Sequence, residues 1–203
     1  MPPSVGVAAY NSALPMGNRL SKITTRTGDA GDTGLGDGSR VAKDSARIQA
    51  LGDIDELKSC LGLLLAEKLP AVIGKALLQV QHDLFDLGGE VCIPGHAMIT
   101  EAHVQRLESL TQAHNSKLKP LKEFILPGGT RAAASAHLAR AVCRRAERSL
   151  VALGRRETVN DRARQYLNRL SDLLFVLGRD LNRAAKRGDV LWRHERGKRF
   201  KVR

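Results

Sequence analysis

Residues 160–188 read NDRARQYLNRLSDLLFVLGRDLNRAAKRG. Leu167, Leu170, Leu174, Leu177 and Leu181 recur at three- and four-residue intervals. That near-heptad rhythm draws one apolar seam along a helix, as expected where a helix packs against other helices. Asn160 is a good acceptor for the first free backbone amides and so starts the helix, and Gly188 offers a stop.

Four more helices follow when the same reading is carried towards the N-terminus. Leu51, Ile54, Leu57, Leu61 and Leu64 mark a first helix from about Ala46. Pro70 suits the opening turn of a second, whose stripe is Ile73, Leu77, Val80, Leu84, Leu87 and Val91. Pro94 and Gly95 interrupt the chain, and Thr100 caps a third helix running to about Lys117. Pro120 and Leu126-Pro127-Gly128-Gly129 form a loop, after which a fourth helix spans about Thr130 to Leu153 with Gly154 as its C-terminal cap. Five long helices with short links predict an all-α fold, an antiparallel five-helix bundle.

Composition agrees. The chain has 203 residues, 42% of them apolar but only 3% aromatic. One domain with a core of Leu, Val, Ile and Ala is expected, not a β-sandwich. No apolar run reaches the ~18 residues a membrane span needs. Cys60, Cys92 and Cys143 are odd in number and far apart, which suits a reducing compartment and predicts a cytoplasmic protein. Residues 1–17 hold three prolines and no basic residue, and read as a disordered extension. The domain proper spans 18–192, and 193–203 form a basic tail.

The net charge of +12 is unevenly placed. Residues 1–139 carry 14 basic and 14 acidic residues, whereas 140–203 carry 19 and 7. Such asymmetry implies an anionic partner or a subunit surface that neutralises it, with a solvated basic face as the competing reading.

Two stretches have the make-up of a phosphate site. Gly28 to Gly38 holds five glycines in eleven residues, which excludes a helix and lets backbone approach a ligand. Thr24, Thr25, Arg26 and Thr33 surround it with hydroxyls and a cation, and Lys22-Ile23-Thr24-Thr25 before it is β-branched enough to be extended. A mobile surface loop explains the same glycines, and no P-loop pattern is present. On the fourth helix Arg140, Arg144 and Glu147 share one face, with Arg145 and Arg148 beside it. Guanidinium groups there match phosphate oxygens, while an exposed helix laced with Arg–Glu pairs is the alternative. Arg164, Asn168 and Asp172 form a polar stripe on the fifth helix, and Asp53, Asp55 and Glu56 an acidic patch on the first. The six histidines have no metal-ligand spacing, no protein metal site is expected, and no nucleophile elbow appears. Positioning and electrostatics are therefore expected to carry the chemistry.

Five ordered segments resemble the PduO-type ATP:cob(I)alamin adenosyltransferases. These are Thr25-Arg26-Thr27-Gly28-Asp29-Ala30-Gly31-Asp32-Thr33, Gly52-Asp53-Ile54-Asp55-Glu56-Leu57, Phe124-Ile125-Leu126-Pro127-Gly128-Gly129, Arg140 through Arg148, and Asn168-Arg169-Leu170-Ser171-Asp172. The departures are Arg26 where lysine is frequent, the N-terminal extension and the basic tail.

The resemblance implies a five-helix bundle whose N-terminal glycine-rich loop binds nucleotide. It implies a homotrimer with active sites between subunits, and transfer of the 5′-deoxyadenosyl group of ATP to cob(I)alamin with Mg²⁺ on the nucleotide. Thr25, Arg26, Gly28, Asp29, Gly31 and Thr33 would then neighbour the phosphates and Mg²⁺, with Lys43 a candidate to join them. Arg140, Arg144, Glu147 and Asn168 would line the nucleotide site. Asp55 would pair with Arg140 across the interface, Phe124 would help expel the lower axial ligand, and a segment near Trp192 would order over the corrinoid. A cobalamin reductase or an adenosylcobalamin-dependent enzyme would be its protein partner, with neither nucleic acid nor membrane bound. Two rival readings remain open at this point. A basic helical protein that binds nucleic acid would explain the charge, and a non-catalytic carrier of nucleotide or finished cofactor would explain the motifs.

Overall fold

The computed structural model describes residues 23–193. The extension expected over 1–17, Lys22 and nearly all of the basic tail lie outside these residues. Five helices follow a small hairpin: β1 (Asp32–Gly34), β2 (Arg40–Ala42), α1 (Ala46–Leu65), α2 (Ala71–Cys92), α3 (Glu101–Asn115), α4 (Arg131–Gly154) and α5 (Asp161–Ala184). α5 packs on α4 and α3, and α1 packs on α4 and α2.

Caps set most of the boundaries. Ser45 and Thr130 accept the amides of Ile48 and Ala133 with their side chains, and Asn160 accepts that of Arg162. Gly154 does not cap α4 as the sequence suggested; it is the last helical residue, and Arg155 follows still in right-handed helical conformation. α5 stops at Ala184, four residues before Gly188. Lys186 adopts φ 55 there, which lets the Arg187 amide donate back to the Asn182 carbonyl at 2.8 Å. α3 likewise ends two residues before Lys117.

The paired strands are β1 and β2, not Ile23–Thr25. They run antiparallel with Thr33 opposite Val41, β1 inside the glycine-rich stretch and β2 just after it.

The core is the one that composition predicts. Ile54, Leu57, Leu61, Leu77, Leu84, Leu107, Leu150, Leu167, Leu170 and Leu174 are almost wholly buried. Burying a side chain of this kind contributes roughly 1.5–3 kcal/mol.

A few buried polar groups fix which helices meet. Asp83 accepts from Tyr166 Oη at 2.8 Å and Gln79 Nε2 at 3.1 Å, and pairs with Arg106, so α2, α3 and α5 converge on one carboxylate. His114 Nδ1 lies 2.6 Å from Asp180 Oδ2, tying α3 to α5. Among the described residues, no helix is long and apolar enough to cross a membrane.

Candidate functional site

The glycine-rich stretch is held by its own backbone and by two cations. The Gly31 amide donates to Gly28 O at 3.2 Å, and the Lys43 amide to Gly31 O at 2.8 Å. Lys43 Nζ donates to Gly28 O at 2.7 Å, and Arg40 to Thr27 O at 2.7 Å. A Cβ at Gly28 would meet Lys43 Nζ at 3.0 Å, so the lysine packs closely over this glycine. Gly31 has φ 94, and Arg26 takes the left-handed region at φ 60. Thr25, Arg26, Gly28, Asp29, Thr33 and Lys43 all border a cavity of about 330 Å³. Gly31 does not line it; its role is the turn.

On α4 the expected arginine face divides. Arg144, Glu147, Arg148 and Arg155 join Asn168 of α5 around a cavity of about 470 Å³. Asn168 Nδ2 donates to Glu147 Oε1 at 3.0 Å, and its own carbonyl accepts from Arg169 at 2.7 Å. Arg144 makes no ion pair among the described residues and is exposed. Arg140 lies one turn away and borders a different cavity of about 550 Å³, with Phe124, Ile125, Leu121 and Phe175. Its Nε is buried and has no hydrogen-bond partner among the described residues, a guanidinium donor left over by the fold.

Phe124 is 78% exposed, an unusual position for a large apolar ring in a monomer. Trp192 lies edge-on to it, with ring centroids 6.5 Å apart. Behind this cavity, His137 packs edge-on to Phe175, and neither of its ring nitrogens has a hydrogen-bond partner among the described residues. Burial, and then the nearby Arg140 charge, pull its pKa below the usual imidazole value.

The acidic patch on α1 also divides. Asp53 and Glu56 pair with Arg145 of α4 inside the chain. Asp55 faces outward, and among the described residues its carboxylate pairs only with Lys58, at 3.0 Å. It borders a cleft of about 450 Å³ between α1 and α2 that also exposes Leu78 and Phe85. The predicted residues thus fall in four places on the chain: the glycine loop, the α4–α5 cavity, the Phe124 cavity and the Asp55 cleft.

Arg155 and Phe175 were not singled out by sequence reasoning. Arg144, Arg148, Val151 and Arg155 follow helical spacing, so the signal was present, but ending α4 at Leu153 hid it. Phe175 lies seven residues after Asn168 on the polar stripe of α5 and reads simply as core.

Much of the C-terminal charge is neutralised internally. Arg145, Arg164, Arg169, Arg179 and Arg183 each hold a carboxylate. Arg144, Arg148 and Arg155, which form no ion pair among the described residues, make a compact cationic cleft of a size that suits a small anion.

The fold and these clefts define a helical-bundle protein with separate cationic and apolar recesses. The family model for cobalamin adenosyltransferase matches residues 23–181, and the chain belongs to that family. It is 63% identical to a cobalamin adenosyltransferase of Cupriavidus metallidurans over 89% of this chain and 99% of that protein. It is 44% identical to a corrinoid adenosyltransferase of Bacillus subtilis, over 83% of this chain and 91% of that protein. Among solved structures it resembles a variant PduO-type ATP:corrinoid adenosyltransferase from Lactobacillus reuteri complexed with cobalamin and ATP. The TM-score is 0.82 and the identity 33%, covering 85% of this chain and 97% of that one.

Proposed function

We propose that the protein transfers the 5′-deoxyadenosyl group of ATP to cob(I)alamin, releasing triphosphate. The observation that carries this reading is the match, over nearly the whole bundle, to an adenosyltransferase holding both ATP and cobalamin. In the step itself the cobalt electron pair attacks C5′. A Co–C bond forms, the C5′–O bond breaks, and the electron pair leaves with the triphosphate. The cobalt of the substrate is already a strong nucleophile, so the protein needs no general base.

The protein's task is then to position and stabilise charge. Arg144, with Arg148 and Arg155 beside it, meets the negative charge that builds on the leaving triphosphate. Glu147 and Asn168 hold one another in place and offer polar groups to the nucleoside. The loop from Thr25 to Thr33, with Lys43, wraps the phosphates through backbone amides, hydroxyls and cations. Phe124 and Phe175 line the apolar recess for the corrin, where Phe124 fills the space of a lower axial ligand and keeps water from cobalt.

Among the described residues no cluster of three metal-binding side chains exists. The loop does offer Asp29, Asp32, Thr25 and Thr33, an oxygen set suited to Mg²⁺ held mainly by substrate phosphates. Bound there, Mg²⁺ would neutralise part of the triphosphate charge, and Asp29 and Thr33 would help hold it.

The four separate places on one protomer support a homotrimer whose sites are completed by a neighbouring copy. The outward Asp55 and the Arg140 guanidinium with its unpartnered Nε are complementary across such an interface. Three free cysteines fit a cytoplasmic setting, with a cobalamin reductase or an adenosylcobalamin-dependent enzyme as partner. The test is the absorbance change on forming the alkylated corrinoid from reduced cobalamin, with and without ATP. Loss of the cob(I)alamin spectrum that does not require ATP would overturn the reading.

A further inference from the structure

The exposed ring of Phe124 has little packing of its own, so its position must come from the backbone that carries it. That backbone is tied to one buried polar cluster on α5. Arg179, 7% exposed, donates Nε to Asp189 Oδ2 at 2.9 Å and a terminal nitrogen to Lys119 O at 2.8 Å. Asn182, 2% exposed and one turn later, donates Nδ2 to Gly128 O at 3.2 Å and to Asp189 Oδ1 at 3.3 Å. Its carbonyl oxygen accepts the Thr130 amide at 2.9 Å.

The cluster therefore grips the chain before Phe124, at residue 119, and after it, at 128–130. Through Asp189 it also grips the segment leading to Trp192. That segment pairs with the Phe124 loop: Leu126 N donates to Val190 O at 2.8 Å and Trp192 N to Phe124 O at 2.7 Å. Gly129 is shaped to this contact, since a Cβ there would lie 2.2 Å from Asn182 Oδ1. The family match ends at residue 181, so Asn182 and Asp189 lie beyond it.

We propose that Asp189, bridging Arg179 and Asn182, is a positioning residue that locks the 189–192 segment onto the Phe124 loop and so sets Phe124 for displacement of the lower axial ligand. The inference rests on the role given to Phe124 above. Nothing in it requires Asp189 to touch either substrate. Removing the carboxylate that these two buried donors share leaves Arg179 without its ion pair and Asn182 with one acceptor fewer, and the two segments lose their common anchor.

Two readouts test it, using the full chain. The protein has a single tryptophan, Trp192, so its emission reports the segment directly. Asp189→Ala should shift that emission to the red and raise quenching by acrylamide, while Asp189→Asn, which keeps an acceptor, should shift it less. Turnover is then compared for cobalamin and for cobinamide, a corrinoid without the lower base. Asp189→Ala should slow cobalamin about ten-fold more than cobinamide, the loss expected from hydrogen bonds to a charged group, with ATP affinity unchanged. Asp189→Asn guards against simple misfolding, because it should fold and show a smaller version of the same split. Unchanged Trp192 emission, or equal slowing of both corrinoids, overturns the proposal. Phe124→Ala serves as the reference: if that variant does not distinguish the two corrinoids, the role assigned to Phe124 fails, and the catalytic part of the proposal with it.

Discussion

Asn168 on α5 donates its amide hydrogen to Glu147 on α4 across 3.0 Å, and both line the cavity that Arg144 also borders. The pair joins the two longest helices where the nucleotide is proposed to bind. Asn168→Ala would leave Glu147 partly buried without this donor and free to approach Arg144. Its expected result is weaker ATP binding, by about ten-fold for one lost hydrogen bond to a charged group, with the thermal midpoint nearly unchanged. Isothermal titration with ATP measures the first and calorimetry the second.

Arg144→Ala should all but abolish turnover while the fold and the proposed trimer persist. Truncating one preorganised cation facing developing charge costs on the order of 10²–10³ in rate. Arg144 is exposed and makes no ion pair among the described residues, so folding does not depend on it. Near-normal turnover in this variant would remove the arginine cleft from the mechanism.

Asp55 should matter to the assembly and not to the protomer. Among the described residues its carboxylate pairs only with Lys58, and it is largely exposed; such surface pairs contribute about 0–1 kcal/mol. Asp55→Asn is expected to lower turnover and loosen the oligomer, seen by sedimentation, without changing the protomer's helicity. A variant with wild-type assembly and rate would show that Asp55 faces only solvent.

Tyr166→Phe tests the centre of the bundle. Its hydroxyl donates to the buried Asp83 at 2.8 Å, and burial, together with that carboxylate, holds its pKa well above the usual value. Losing the donor should cost about 1–3 kcal/mol, read as a lower urea midpoint at unchanged slope. Arg106 and Gln79 still serve Asp83, so the fold itself should survive.

His137 should make stability depend on pH in a known direction. Its folded pKa lies below the unfolded value of about 6.5. As pH falls below that value the unfolded chain takes a proton that the native imidazole resists, so stability falls with falling pH. His137→Leu should flatten the dependence just below pH ~6.5. Chemical denaturation at pH 7 and pH 5.5 measures it, and an equal slope in both proteins would contradict the assignment.

The sequence went far with this chain because a helical bundle of leucines is written locally. Spacing of three and four residues states which face of each helix is buried, and a capping residue such as Asn160 states where a helix begins. Their ends were harder to read. Gly154 and Gly188 read as stops, yet α4 kept the first as its last helical residue and α5 ended before the second, where Lys186 itself took the left-handed turn. Glycine permits a helix end without compelling one.

The candidate residues were likewise named by type and order, because phosphate chemistry asks for glycine, hydroxyl and guanidinium groups whatever the fold. Their grouping was not. Arg140 and Arg144 sit one turn apart and still border different cavities, since the neighbours that complete each recess come from distant segments of the chain. Asp83 as a shared acceptor, the His114–Asp180 pair and the grip of Asn182 on Gly128 arise only when helices far apart in sequence meet. One chain's amino-acid order therefore determined its elements, its buried faces and its chemistry-bearing groups. The tertiary structure alone decided which of those groups meet, because hydrogen bonds between remote side chains depend on three-dimensional distance and leave no periodic trace in the sequence.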